Sequence, residues 1–281
     1  MKLNGIFVIM RLTFFEASRR KILLAALAFG LLFLVVYAFG LRAILTDISR
    51  EGNLDFLLRN EILNFLSMAG FYAINFLTIM LSVLTSVDTL SGEISSGTAL
   101  TILAKPIQRW ELVLGKWLGF AVLVALYILI MCGGVVLVVL GIGDYVVPNF
   151  LAGMAFVWLN GLLVLTISLC GGAFLSTLAN GVLVFGLFGV AFVGGWIEQI
   201  GVMVQNTTAV NIGIVTSLLM PSEAIWRRSA FLMQSPLVKA VGFSPFTSGG
   251  SAPSPLMVWY AIAYAAVLVY VAIRIFRKRD L

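Results

Sequence analysis

The chain has 281 residues, 61% of them hydrophobic and only 11% charged, with a mean hydropathy of +1.09 and a net charge of +6. So few charges cannot cover a water-exposed surface, because soluble domains carry about a quarter charged residues, and an integral membrane protein is implied. Histidine is absent, which excludes His-based acid–base chemistry and the commonest zinc ligand, and in a membrane protein the basic balance reflects orientation rather than a nucleic-acid partner.

Along the chain, Leu3, Ile6, Phe7, Met10, Phe14 and Ala17 recur at three-and-four spacing, with Asn4, Arg11 and Ser18 on another face. This pattern predicts an N-terminal interfacial helix preceding the first span. A helix crossing the hydrocarbon core needs about 20 apolar residues. Runs of that length lie near 22–41, 65–87, 117–141, 150–174, 181–200 and 256–275. The first is too long for the apolar stretch of a cleaved signal peptide and is read as a retained span. The fold class expected is therefore all-α integral membrane, with six transmembrane helices in one domain over 1–281. Cys132 and Cys170 both fall inside apolar runs and read as small packing residues.

Even parity puts both termini on one side. That side would hold Lys2, Arg11, Arg19, Arg20, Lys21, Lys105, Arg109, Lys116, Arg274, Arg277, Lys278 and Arg279. The other would hold Arg42, Arg50, Arg59, Arg227, Arg228 and Lys239, half as many. The positive-inside rule then places both termini and the 88–116 loop in the cytoplasm, and the plasma (cytoplasmic) membrane is the localisation expected. The 175–180 link has no base and is neutral in this argument. Segment 201–255 is expected on the external side in this topology. Residues 201–220 are apolar enough for a re-entrant or interfacial helix, and Pro221, Pro236, Pro245, Pro253 and Pro255 interrupt the remainder of the segment. Irregular backbone at membrane depth must be covered by protein, so this segment is expected to cap the external mouth.

A gradient-driven transporter usually keeps ionisable groups at the bilayer midplane. The predicted spans carry none near their centres; their polar residues are Asn75, Thr78, Ser82, Asn160, Thr166 and Ser168, suited to hydrogen bonds between helices, and Glu198 stands at the outer end of the fifth. Free energy for uphill movement must then enter from another protein. That directs attention to residues 88–116, DTLSGEISSGTALTILAKPIQRWELVLGK. A short helix is expected over 94–104, with Glu93 at its N-terminal end, where the helix dipole favours a carboxylate. Pro106 stops it. A second helix then leads into the third span, with Arg109 and Lys116 at the cytoplasmic face. Such a helix is a handle that a moving partner could grip at Ala99, Ile102 and Leu103.

This loop resembles that of the permease subunits of ABC-2 type transporters. The shared pattern is carried by Asp88, Gly92-Glu93, Gly97-Thr98, Leu100 with Leu103, Pro106, Arg109 and Gly115-Lys116. Residues 13–21, TFFEASRRK, also resemble the family's entry to the first span. Gln108 departs from the Ser or Thr preferred as a helix N-cap. The resemblance implies that 94–104 is a coupling helix docked in a separate cytoplasmic ABC ATPase. It also implies that two permease subunits pair as a homo- or heterodimer, and that 201–255 forms external helices near the exit. ATP and magnesium would be held by the partner, with no cofactor or metal in this chain, and most such systems export.

Other short motifs lack their context. Leu90-Ser91-Gly92-Glu93 matches part of an ABC ATPase signature, without an ATPase domain around it. Gly115-Lys116-Trp117 lacks the earlier glycine and the following Ser or Thr of a P-loop. Gly141-Ile142-Gly143-Asp144 matches an intramembrane aspartyl protease string, but no second intraspan aspartate accompanies it, and a turn is expected. Gly115 and Gly119 form a G-x-x-x-G pair that lets helices approach closely or simply packs. Asn206-Thr207-Thr208 is a glycosylation sequon, informative only in a secretory pathway. Two other function classes compete with the permease. A membrane scaffold or assembly factor would use 201–255 to anchor an external partner. A membrane enzyme would need a nucleophile pair or midplane acids, which are not visible.

Overall fold

The computed structural model describes residues 3–50, 55–98, 107–241, 246 and 253–279, and every regular element among them is an α-helix. In chain order these are α1 (Leu3–Ser18), α2 (Lys21–Arg50), α3 (Phe56–Ser86), α4 (Thr89–Ser95), α5 (Arg109–Gly143), α6 (Phe150–Gly172), α7 (Thr177–Met203), α8 (Thr207–Leu219), α9 (Ser222–Met233), α10 (Pro236–Val241) and α11 (Pro255–Lys278). Six are long and apolar enough to cross a membrane: α2, α3 continued by α4, α5, α6, α7 and α11. The protein is a multi-pass membrane protein, as the composition requires. The helices outrun their apolar cores. α2 continues to Arg50 and α3 begins at Phe56, because Arg42, Asp47, Arg59 and Glu61 lower hydropathy without breaking a helix.

α5 and α6 form the centre. α5 buries Leu112, Phe120, Val124, Tyr127, Met131 and Val135, and packs against α1, α2, α3, α6 and α11. α6 is buried almost continuously from Asn160 to Gly172. Polar residues join α6 to its neighbours: Asn160 Nδ2 donates to Asn75 Oδ1 of α3 at 2.9 Å, and Trp117 Nε1 of α5 donates to Thr166 Oγ1 at 2.8 Å. Thr78 instead returns its hydroxyl to its own helix, at Ile74 O, 2.8 Å. α2 is the outermost span, with 6% of its apolar window buried and Phe29, Leu32, Val36 and Phe39 exposed.

The N-terminal stretch is a helix of its own. Arg19 and Arg20 donate from their backbone N–H to Glu16 O and Ala17 O at 3.2 and 3.1 Å, closing α1 before α2 starts. α1 lies along α5 with Ile9, Thr13 and Ala17 buried, while Phe7, Val8, Leu12 and Phe15 stay exposed. The approach is close because α5 offers glycines there. A Cβ on Gly115 would stand 2.6 Å from Ile9 Cβ, and one on Gly119 would stand 2.8 Å from Met10 O. The G-x-x-x-G pair is thus a seat for α1.

At the opposite end, Asp144 adopts φ 52° and caps α5, so the Gly-Ile-Gly-Asp string is a turn. Beyond α7 the chain folds back as α8, which then bends by 104° into α9. Tyr260 and Tyr264 of α11 donate to Leu218 O and Leu219 O at 2.5 and 2.9 Å, satisfying carbonyls at that bend. The helix expected over 201–220 is α8, which forms one bent pair with α9. α8 keeps Ile212, Val215, Leu218 and Leu219 exposed, whereas α9 is buried through Ala224, Ile225, Trp226, Ala230 and Met233. The reason is shape: α9 carries its apolar residues on a side that fits between α6 and α7, with Trp226 against Tyr72 at 5.2 Å and Ser229 Oγ donating to Gly153 O at 2.8 Å.

Candidate functional site

The residues singled out in the 88–116 loop converge on the end of the molecule that holds the starts of α5 and α7 and the ends of α6 and α11. Only Leu100, Leu103 and Pro106 of that set lie outside the described residues, as do Ala99 and Ile102 and with them most of the helix expected over 94–104. After α3 the helix is interrupted at Val87 and Asp88, the elbow, and resumes as α4 in continuation of the same span. Gly92 makes room for the Asp88 side chain at this break. A Cβ there would sit 2.5 Å from Asp88 Oδ1, so any side chain would expel the carboxylate folded over the first turn. Gly97, at φ +71°, breaks the path, and Thr98 is helical again, its hydroxyl 2.7 Å from Ser96 Oγ.

Two sequence expectations are corrected here. Glu93 lies in the last turn of α4 rather than at the start of a helix beginning at residue 94, so the dipole does not account for it. Lys116 does not remain at the surface; its side chain is 5% exposed, and it forms an ion pair with the Glu93 carboxylate, itself 18% exposed. The pair joins α4 to α5. Sequestering two charges costs desolvation that their attraction repays only with good geometry. Such pairs are therefore retained more for register than for stability.

A second set of contacts joins the elbow to α7. Thr177 Oγ1 donates to Asp88 Oδ1 at 2.8 Å and lies 2.9 Å from Ser91 Oγ. Asn180 Nδ2 donates to Val87 O at 3.1 Å and to Ser168 O at 2.8 Å, bridging the elbow, α6 and α7. Gly171 leaves room for this amide, since a Cβ there would stand 2.2 Å from Asn180 Oδ1. Thr177 and Asn180 do not stand out in the sequence because their link carries no charge. The polar Ser-Thr-Leu-Ala-Asn run between two apolar helices is the one signal available.

Arg109 serves a third joint, apart from the ion pair. Its Nη1 donates to Arg279 O at 2.7 Å and Arg277 O at 3.1 Å, placing a cation on the C-terminal carbonyls of α11, where the helix dipole favours one. Arg279 Nη1 in turn donates to Ala173 O at 2.6 Å, tying α11 to the end of α6. The departure at Gln108 is compensated: Glu111 Oε2 accepts the Gln108 N–H at 2.9 Å, the reach-back half of a capping box. The result is a cross-braced plate: α4 bound to α5 by charge, to α7 by hydrogen bonds, and α5 bound to α11.

The far end holds the one other buried ion pair among the described residues. Arg227 of α9 meets Glu198 of α7 at 2.7 Å, and Glu223 is buried close by, against Gly195. Alongside it, Asn64 donates to Tyr145 Oη at 2.9 Å and to Met233 O at 3.1 Å, and Ser235 donates to Glu61 Oε2 at 2.6 Å. No group of three or more metal-ligating side chains occurs among the described residues.

A family model described as ABC-2 family transporter protein matches residues 7–281. No curated protein matches the chain. The match runs through the elbow, the bent α8–α9 element and all six spans.

Proposed function

The chain belongs to the ABC-2 family of transporter proteins, a membrane family whose members associate with an ABC ATPase, and from that premise we propose that it is the permease subunit of an ATP-driven exporter. In this reading the 88–116 loop faces the cytoplasm, both termini lie on that side of the plasma membrane, and a separate ATPase binds and hydrolyses ATP with its magnesium. Two permease subunits, identical or related, enclose the path. Asp88, Glu93, Arg109 and Lys116 transmit the ATPase's movement, with Leu100, Leu103 and Pro106 in the segment that it grips.

The observation that carries this reading is the Glu93–Lys116 pair between α4 and α5. A displacement applied at 94–104 reaches the third span through that pair and the fifth through Thr177 and Asn180. A solvated loop needs no such bracing. The neutral polar content of the central helices fits a subunit that takes its energy from outside.

The test is purification of the tagged chain from its native membrane in mild detergent, with mass spectrometry of the proteins that stay bound. A stoichiometric P-loop protein, weakened by Leu103→Asp, is the expected result. A crosslinked preparation that yields an external protein and no ATPase would overturn the reading in favour of a membrane scaffold.

A further inference from the structure

α11 divides its residues sharply. One side buries Ala261, Ala265, Ala272 and Phe276 against the bundle. The other exposes a stripe at three-and-four spacing, Leu256, Trp259, Ala263, Val267, Tyr270, Arg274 and Arg277, with Lys278 beside its end. Read along the helix at about 1.5 Å per residue, the stripe passes from acyl-compatible side chains through an amphipathic tyrosine to cations within roughly two turns. That is the polarity profile of one bilayer leaflet, tail to headgroup.

The cations at its end are not consumed by the fold. Arg279 and Arg109 close the helix end. Arg274, Arg277 and Lys278 instead line a recess of about 420 Å³ together with Tyr270 and Ile273. Arg274 Nη1 donates to Tyr270 Oη at 3.0 Å, which holds the guanidinium over the level of the phenol. No acid among the described residues pairs with these three bases. The arrangement offers a fork-shaped donor, two further cations and a hydroxyl, above an apolar strip that fits an acyl chain.

We propose that the exposed face of α11 between Tyr270 and Lys278 is a binding site for one anionic phospholipid, its phosphate held by Arg274, Arg277 and Lys278 and its chain along Val267 and Trp259. The site requires only that this end of α11 meets a leaflet, and it holds whichever side of the membrane that leaflet faces. A base near an anionic surface is worth about fivefold in affinity, so loss of all three weakens binding on the order of a hundredfold.

The full chain, delipidated in detergent, is titrated with phosphatidylglycerol and with phosphatidylcholine and observed by native mass spectrometry. One phosphatidylglycerol per chain is expected to remain under conditions that strip phosphatidylcholine, and to be lost in R274Q/R277Q/K278Q. The equal-charge variant R11Q/R19Q/K21Q in and beside α1 is expected to keep it. Equal loss in both variants would reduce the effect to net charge and overturn the site. Displacement by millimolar inorganic phosphate would make it a free-anion site and overturn the lipid assignment. Should the triple variant fail to fold, photoreactive phosphatidylglycerol added to the wild-type protein decides. Adducts within 267–278 support the proposal, and adducts elsewhere, or a partner protein crosslinked from a label at position 277, overturn it.

Discussion

Lys116 sits about two turns inside α5, at a depth where an ammonium survives only beside a counter-charge. Removing one partner of a buried pair strands the other, at a cost of about 3–5 kcal/mol. Glu93→Gln should therefore destabilise the protein strongly, because it strands the deeply buried Lys116, while Lys116→Met should cost less, because the Glu93 carboxylate that it strands is partly open. The double variant Glu93→Gln/Lys116→Met should recover much of the loss. Thermal unfolding of the four proteins in detergent gives the cycle, and additive single effects would rule out coupling between the two residues. Both residues were legible in the sequence as members of a loop pattern. Their pairing was not: it depends on α4 forming immediately after α3 and bringing Glu93 against α5. Asn180 was invisible for a different reason. An uncharged amide at a helix start has no sequence signal that separates a three-way bridge from an ordinary polar link.

Among the elements, α1 shows how small residues decide a contact. Its three-and-four spacing announced a helix with an apolar face, and α1 is one. Spacing alone could not say that the face splits, with Ile9, Thr13 and Ala17 turned to α5 and Phe7, Leu12 and Phe15 turned outward. The missing information sat in α5, at Gly115 and Gly119. Gly119→Leu would drive a side chain into the Met10 carbonyl and the Thr13 methyl group, so α1 must lift away. Overpacking of this kind costs about 1–3 kcal/mol. The expected result is insertion of all six spans with faster hydrogen exchange confined to residues 9–17; unchanged protection there would show that α1 is held by other contacts. α9 is an element that did not stand out in the sequence, for a related reason. Glu223, Arg227 and Arg228 make 222–233 look like surface, whereas the Glu198–Arg227 pair supplies the compensation that lets it be buried.

At the scale of the whole molecule, the six-span layout followed from hydropathy, since length and apolarity are all that a bilayer demands. The connection between its two ends did not, because it is carried by single contacts between distant segments. α7 is latched at one end through Thr177 and Asn180 to the elbow, and at the other through Glu198 to Arg227 on α9. From Thr177 to Glu198 the helix rises about 31 Å, roughly the hydrocarbon thickness. α7 is therefore a rod able to carry motion from the elbow to the bent α8–α9 element, if the proposed ATPase drives the elbow. Thr177→Val/Asn180→Ala cuts its ties to Asp88, Ser91, Val87 and Ser168 together while leaving Glu93–Lys116 in place. The expected outcome is a complex that still assembles with its ATPase but no longer relays ATP binding to α9. A fluorescent label at position 228 should respond to a non-hydrolysable ATP analogue in the wild-type complex and fall silent in the variant. A response of equal size in both would remove α7 as the carrier and leave α5, through Lys116, as the route across the membrane.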